Sequence, residues 1–315
     1  MSFTSRMLVQ AGPPDGPAAA ADELQGSEPG WATNLRWFST FLFMHMGARS
    51  ALTIPGSDEP FGQALYGLAI VTAALGCAPG FARGAARLAT LMVLGQLLLS
   101  MPDTANHVFL EFVLFLLLAM LDPGKEPEAK LLMRGLRWYI AIFFVYAGIQ
   151  KVIYGYYFDG QFLAYMAATE DRFTLVFQHL IPAPELERLQ AFNEAVLADG
   201  RHQPATDAGP YRVDAPLFVV MSNLVWMYEI VAPILLMFRR TRAAAALSII
   251  AFVLLIELGA REITFGMLMT NLALLYLWGP WIKRLFPAFA LAYLYLLLAD
   301  GGGAGIFPMF WYSPA

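Results

Sequence analysis

The feature that most narrows the folds open to this chain is a succession of apolar runs. Each is close to the ~20 residues that a helix needs to cross the hydrocarbon of a bilayer. Read by length and hydrophobicity, they predict about nine transmembrane helices: Leu35–Ile54, Ala64–Ala78, Ala85–Met101, His107–Leu121, Leu136–Ile153, Pro216–Phe238, Ala243–Leu258, Ile263–Trp278 and Leu285–Ala299. Composition points the same way. Of the 315 residues, 58% are hydrophobic and 14% charged, against about 25% charged in a soluble domain. The expected fold is an all-α integral membrane protein, a polytopic bundle over residues 31-315 with no internal repeat and no second domain.

The first 30 residues are rich in Ala, Gly, Pro, Asp and Glu and lack the apolar core of a signal peptide. They are expected to form a disordered cytoplasmic tail. With a net charge of −4 and no basic face, the chain offers nothing for nucleic acid. Cys77 is the single cysteine, so neither a disulfide framework nor a CxxC pair exists.

Short cytoplasmic loops carry an excess of Lys and Arg. With the N-terminus inside, the even-numbered connections are the basic ones: Arg83 and Arg87; Lys125, Lys130, Arg134 and Arg137; Arg239, Arg240 and Arg242; Lys283 and Arg284. The odd-numbered connections are poor in basic residues for their length, which places the C-terminus outside, in an expected bacterial inner membrane. The outer loop, residues 154-215, is too long for a plain connection and should be partly ordered. Within it, Phe173–Leu180 reads as a short amphipathic or re-entrant segment. Leu186, Leu189, Phe192 and Val196 fall on one side of a helix over Glu185–Leu197.

Ionisable residues inside apolar runs are functional candidates, because a charge at the centre of a span costs about 2.5–3.5 kcal/mol on insertion scales. Lys151 closes the run Trp138–Lys151 before an aromatic, glycine-punctuated turn. His107 and Glu111 are four residues apart, on one face of a helix. His45 and Arg49 repeat that spacing in the first helix, and Glu257 and Arg261 in the seventh; Glu229 lies deeper in the sixth. Most of these groups fall toward the outer leaflet, as one shared, partly hydrated cavity would explain.

Plainer roles stand beside each of them. Lys151 can snorkel to the interface. Glu257 and Arg261 can be an interfacial ion pair. Asn106 can cap a helix that His107 opens. Glu111 and Glu229 can make interhelical hydrogen bonds as protonated carboxyls, and His45 can be a packed histidine. Beyond His107 and Glu111, no paired spacing of His and carboxylates suggests a metal, and none is expected.

Three of these motifs, in this order, resemble the horizontally transferred transmembrane (HTTM) family, which includes the membrane half of vitamin K-dependent gamma-glutamyl carboxylase. They are Asn106-His107 opening a helix, Tyr146-Ala147-Gly148-Ile149-Gln150-Lys151 followed by Asp159-Gly160, and Tyr228-Glu229 with Pro233 and Arg239-Arg240-Thr241-Arg242. The resemblance implies an outward-facing site in which Lys151 deprotonates a quinol and His107 orients it. Oxygen addition then makes the quinol a strong base that abstracts a glutamate proton before carbon dioxide adds. It further implies a ligand-binding set of Asn106, Glu111, Tyr146, Tyr154, Glu229, Glu257 and Arg261, with a vitamin K-like quinol as cofactor and no metal. Phe143, Phe144, Tyr146, Tyr154, Tyr156 and Tyr157 would wall the quinone ring.

Glu257 stands where many family members have a histidine, and the 315 residues hold no counterpart of the carboxylase's large soluble part. Carboxylation of a protein would therefore need recognition from another chain or from the outer loop. The expected partners are membrane lipids, a small lipophilic ligand and a partner protein or peptide. Three classes remain open: a membrane-embedded enzyme, a non-catalytic carrier or accessory subunit in peptide or toxin maturation, and a purely structural scaffold.

Overall fold

A computed structural model describes residues 31–54, 59–78, 80–101, 106–198, 211–260, 263–277, 287–288 and 291–292. Within these, the side chains of residues 31, 106, 107, 171, 172, 196–198, 258–260 and 263 lie outside the description. Every regular element among the described residues is helical. In chain order they are α1 (Trp31–Thr53), α2 (Pro60–Cys77), α3 (Ala82–Ser100), α4 (Asn106–Met120), α5 (Glu126–Tyr154), α6 (Gln161–Thr169), α7 (Asp171–Phe177), α8 (Ala183–Ala198), α9 (Pro216–Met237), α10 (Arg242–Ala260) and α11 (Ile263–Leu274).

Four of them, α2, α3, α5 and α9, are long and apolar enough to cross a membrane. The expected nine spans are therefore corrected to an all-helical protein with four candidate spans among the described residues. Within the described residues the apolar parts of α4 and α11 run over Val108–Met120 and Thr264–Leu274, short of the ~20 residues of a crossing, and the side chains at the end of α10, the expected seventh span, lie outside the description. In α1 the polar residues His45, Arg49 and Ser50 dilute the apolar run, and all three are buried. Most of the expected ninth span and all of the N-terminal tail lie outside the described residues.

α1 is the central post. Leu35, Phe38, Phe41, Leu42, Phe43 and Met46 are almost wholly buried along it, and it packs against α2, α4, α5 and α11. Shielded in this way, it tolerates polar side chains that a lipid-facing helix does not. α2 shows the complementary pattern: its inner face is small (Ala69, Thr72, Ala73, Gly76), and its outer face is large (Phe61, Leu68, Val71, Leu75). Lipid is as apolar as leucine, so close backbone approach, rather than greasiness, marks the packed face. At Gly76 a Cβ would collide with the Phe43 ring.

The 154-215 loop carries its own small core. α6, α7 and α8 enclose Ala164, Ala167, Ile181, Leu186, Leu189, Tyr211 and Val213, sealed by Phe218 from the first turn of α9. This helical cap follows α5 and precedes α9, and Phe177 of α7 meets Phe218 of α9 edge-on at 5.2 Å.

Candidate functional site

α5 begins at Lys125 with Pro127 in its first turn, together with Glu126 and Glu128, whose charge suits the N-terminal end of the helix dipole. Its 29 residues span about 43 Å, more than the ~30 Å of bilayer hydrocarbon. It stops at Gly155, which takes a left-handed conformation (φ 73°) and donates its N–H to the Lys151 carbonyl at 3.1 Å. Lys151 thus lies in the last turn, where a cation is favoured by the helix dipole.

The turn after α5 is pinned to α9. Ser222 Oγ donates to the Tyr157 carbonyl (3.0 Å), and Asn223 Nδ2 to the Phe158 carbonyl (2.9 Å). Phe158 meets Trp226 edge-on at 5.7 Å. Further along, α5 presses closely on α9 at Gly148. A Cβ there would lie 2.7 Å from Ile230 Cγ1 and 3.0 Å from the Trp226 carbonyl oxygen.

That close approach brings Lys151 onto Glu229. Nζ donates to Oε1 at 2.9 Å and lies 2.8 Å from Oε2, with side-chain exposures of 20% and 7% respectively. The ammonium also lies 5.2 Å from the centroid of the Tyr157 ring, within cation–π range. Burial, and secondarily the Glu229 carboxylate, pushes the Tyr157 phenol above its ordinary range, so this ring stays neutral. Four residues beyond Glu229, Pro233 has no N–H to give to the Glu229 carbonyl, a natural place for α9 to bend.

A second polar cluster joins α1, α3 and α4. Glu111, fully buried, receives His45 Nε2 at 2.7 Å on Oε1. Arg49 lays its guanidinium along the same carboxylate, with Nε 3.0 Å from each oxygen and Nη2 2.7 Å from Oε2. Nη2 also donates to Gln96 Oε1, and Gln96 Nε2 donates to Ser50 Oγ at 3.3 Å. Here an Arg–carboxylate fork closes a network whose members are all at least nine-tenths buried.

Among the described residues, Lys151–Glu229 and His45–Arg49–Gln96–Ser50–Glu111 form two clusters with no member in common. The reason is local: each carboxylate meets a cation carried by a helix that it packs against, α5 on α9 and α1 on α4. Glu257, partly buried, fits its carboxyl against Gly266, where a Cβ would lie 2.8 Å from Oε1. Its expected partner Arg261 lies outside the described residues. Asn106 and His107 open α4 as expected, and their side chains lie outside the description.

Of the expected ligand-binding residues on α5, Tyr146 and Tyr154 are 61% and 63% exposed, and Tyr154 stacks on Tyr156 at 6.2 Å. Their positions along α5 explain this, because Ile142, Tyr146, Ile149 and Ile153 share the outward stripe. The quinone wall is reduced in the same way: of the six aromatics proposed for it, Tyr157 is the one that meets the Lys151 ammonium. Gln96 and Ser50 were missed, and only a polar residue in an otherwise apolar run marked them.

Compared with protein-family models, curated proteins and solved structures, the chain matches none. The fold and the two polar clusters together define a class, an α-helical membrane protein with ionisable groups held between its helices.

Proposed function

We propose that the chain is a membrane-embedded enzyme in which Lys151, working with Glu229, takes a proton from a lipophilic hydroxyl compound of the quinol type. The observation that carries this reading is the close contact of Nζ with both Glu229 oxygens in the last turn of α5. Such a pair handles protons as a unit. Shifting one from Nζ to the carboxylate leaves a neutral amine beside a carboxylic acid, with no net charge to solvate. The amine lone pair then accepts the hydroxyl proton, and the ammonium so formed faces the new oxyanion. Tyr157 offers an uncharged aromatic surface beside the reacting nitrogen. The motif resemblance to the HTTM family gives the quinol class, with His107 as the orienting group.

The pairing itself supports a second reading. Lys151 is neutralised within the fold, as an accessory subunit or carrier would need for stability alone.

The two readings part on Lys151→Arg, which keeps a cation for Glu229 but supplies no usable neutral base. Protein purified with its native lipids is analysed for bound quinone by mass spectrometry, and for oxidation of added menaquinol. The enzyme reading expects retained quinone with turnover lost in Lys151→Arg, and retention lost in Lys151→Ala and His107→Ala. Quinone content that is unchanged in both alanine variants, or absent from the wild type, overturns it.

A further inference from the structure

At the end of the bundle remote from Lys151, we infer a binding site for the headgroup of an anionic phospholipid, formed by arginines on α5 and at the α9–α10 turn. The register of the α5–α9 pair brings these residues together. The helices run antiparallel and meet at Gly148 against Trp226–Ile230. About three turns farther from the cap on each helix, this register sets Arg134 and Arg137 of α5 level with the turn that holds Arg239, Arg240 and Arg242.

A further contact fixes the seam: Tyr276, just after α11, donates its hydroxyl to the Met133 carbonyl at 2.9 Å. The turn itself is closed by side-chain bonds. Thr241 Oγ1 donates to the Leu235 carbonyl (2.6 Å) and Arg242 Nε to the Leu236 carbonyl (3.4 Å), closing the end of α9. The Arg-Thr-Arg stretch therefore has a structural task in its Thr and last Arg, and Arg239 and Arg240 are left projecting outward.

Among the described residues the charge at this end is lopsided, because its carboxylates are already matched: Asp122 with Arg83 (3.4 Å), Glu128 with Lys125 (3.1 Å) and Glu126 with Lys130 (2.8 Å). Arg134, Arg239 and Arg240 are exposed and have no carboxylate partner among the described residues. Beside them, Trp138 and Phe238 are exposed aromatics. Tryptophan collects at the level where hydrocarbon gives way to headgroups. Arginines held at that level, with planar donors suited to phosphate oxygens, fit an anionic lipid better than a soluble anion, which has no acyl chain to lie along the aromatic and aliphatic surface.

The test is native mass spectrometry of the full chain in detergent with equimolar phosphatidylglycerol and phosphatidylcholine, repeated with excess inorganic phosphate. Each arginine near an anionic lipid is worth about a fivefold preference. Wild-type protein should retain phosphatidylglycerol at least about tenfold over phosphatidylcholine. Arg239→Gln/Arg240→Gln, which leaves the turn-closing bonds intact, should lose most of that preference. Lys125→Gln/Lys130→Gln, which removes two paired cations from the same end, should keep it. Equal retention of the two lipids by wild type, an undiminished preference in the Arg239→Gln/Arg240→Gln protein, or full displacement by inorganic phosphate each overturns the proposal.

Discussion

Glu111 has both carboxylate oxygens engaged by Arg49 and His45, and no side chain of that network reaches the surface. Deleting one member of a buried ion pair strands the other, at a cost of about 3–5 kcal/mol, whereas replacing both by apolar groups of similar volume is often close to neutral. Glu111→Ala should therefore lower the thermal unfolding temperature in detergent sharply, and Arg49→Met/Glu111→Leu should recover most of the loss. A Glu111→Ala protein that unfolds with the wild type would remove the network from the stabilising interactions. The Lys151–Glu229 pair should behave asymmetrically. Glu229 is the more buried partner, at 7% exposure against 20%, and a lysine stem can carry its charge toward water while a glutamate cannot. Lys151→Met should thus be the costlier change, by about 1–3 kcal/mol, with Glu229→Gln milder. The opposite order in an unfolding series would mean that the ammonium, not the carboxylate, is the trapped charge.

Between α5 and α9 the decisive residue is the one with no side chain. Gly148→Ala places a Cβ where Ile230 Cγ1 and the Trp226 carbonyl already stand, at 2.7 and 3.0 Å. A backbone oxygen cannot swing aside, so the helices must separate. Overpacking of this kind costs about 1–3 kcal/mol, and here it should also loosen the Lys151–Glu229 contact three residues along α5. The expected result is a destabilised protein in which Lys151→Met costs less than it does in the wild type, read from a double-mutant cycle. Additive losses would show that Gly148 does not set the pair. This element also marks what the residues alone reveal. The helix α8 is legible because Leu186 and Leu189 bury one face of a segment whose other face is wet. On α5, α2 and α9 both faces are apolar, so periodicity is silent about which one is packed. Only small residues, Gly148 on α5 and Ala69, Ala73 and Gly76 on α2, betray the inner side.

Across the whole molecule, charge and hydrophobicity act at different ranges, and this separates what was legible from what was not. The positions of ionisable residues along the runs pick out Lys151, Glu229, Glu111, His45 and Arg49, but pairing depends on which helices become neighbours, a non-local fact that one sequence does not encode locally. The count of spans was too high at α1 for a related reason: its apolar run reads as a crossing, but the polar residues His45, Arg49 and Ser50 within it are buried against other helices. Sidedness rests on the basic loops alone, and α9 offers the cleanest place to test it. Its 22 residues run about 33 Å, enough to cross ~30 Å of hydrocarbon, from the cap at Phe218 to the turn at Phe238–Arg242. Exposed positions at its two ends, Glu187 on α8 and Arg240 on the turn, should therefore lie on opposite sides of the membrane. With Cys77→Ser removing the single native thiol, Glu187→Cys should react with a membrane-impermeant maleimide on intact cells, and Arg240→Cys only after permeabilisation, because arginine-rich short loops are retained in the cytoplasm. Labelling of Arg240→Cys alone would invert the assignment and put the Lys151 end inside. Labelling of both without permeabilisation would mean that α9 does not cross, leaving α2, α3 and α5 as the candidate spans and the Lys151–Glu229 pair at a surface rather than between membrane helices.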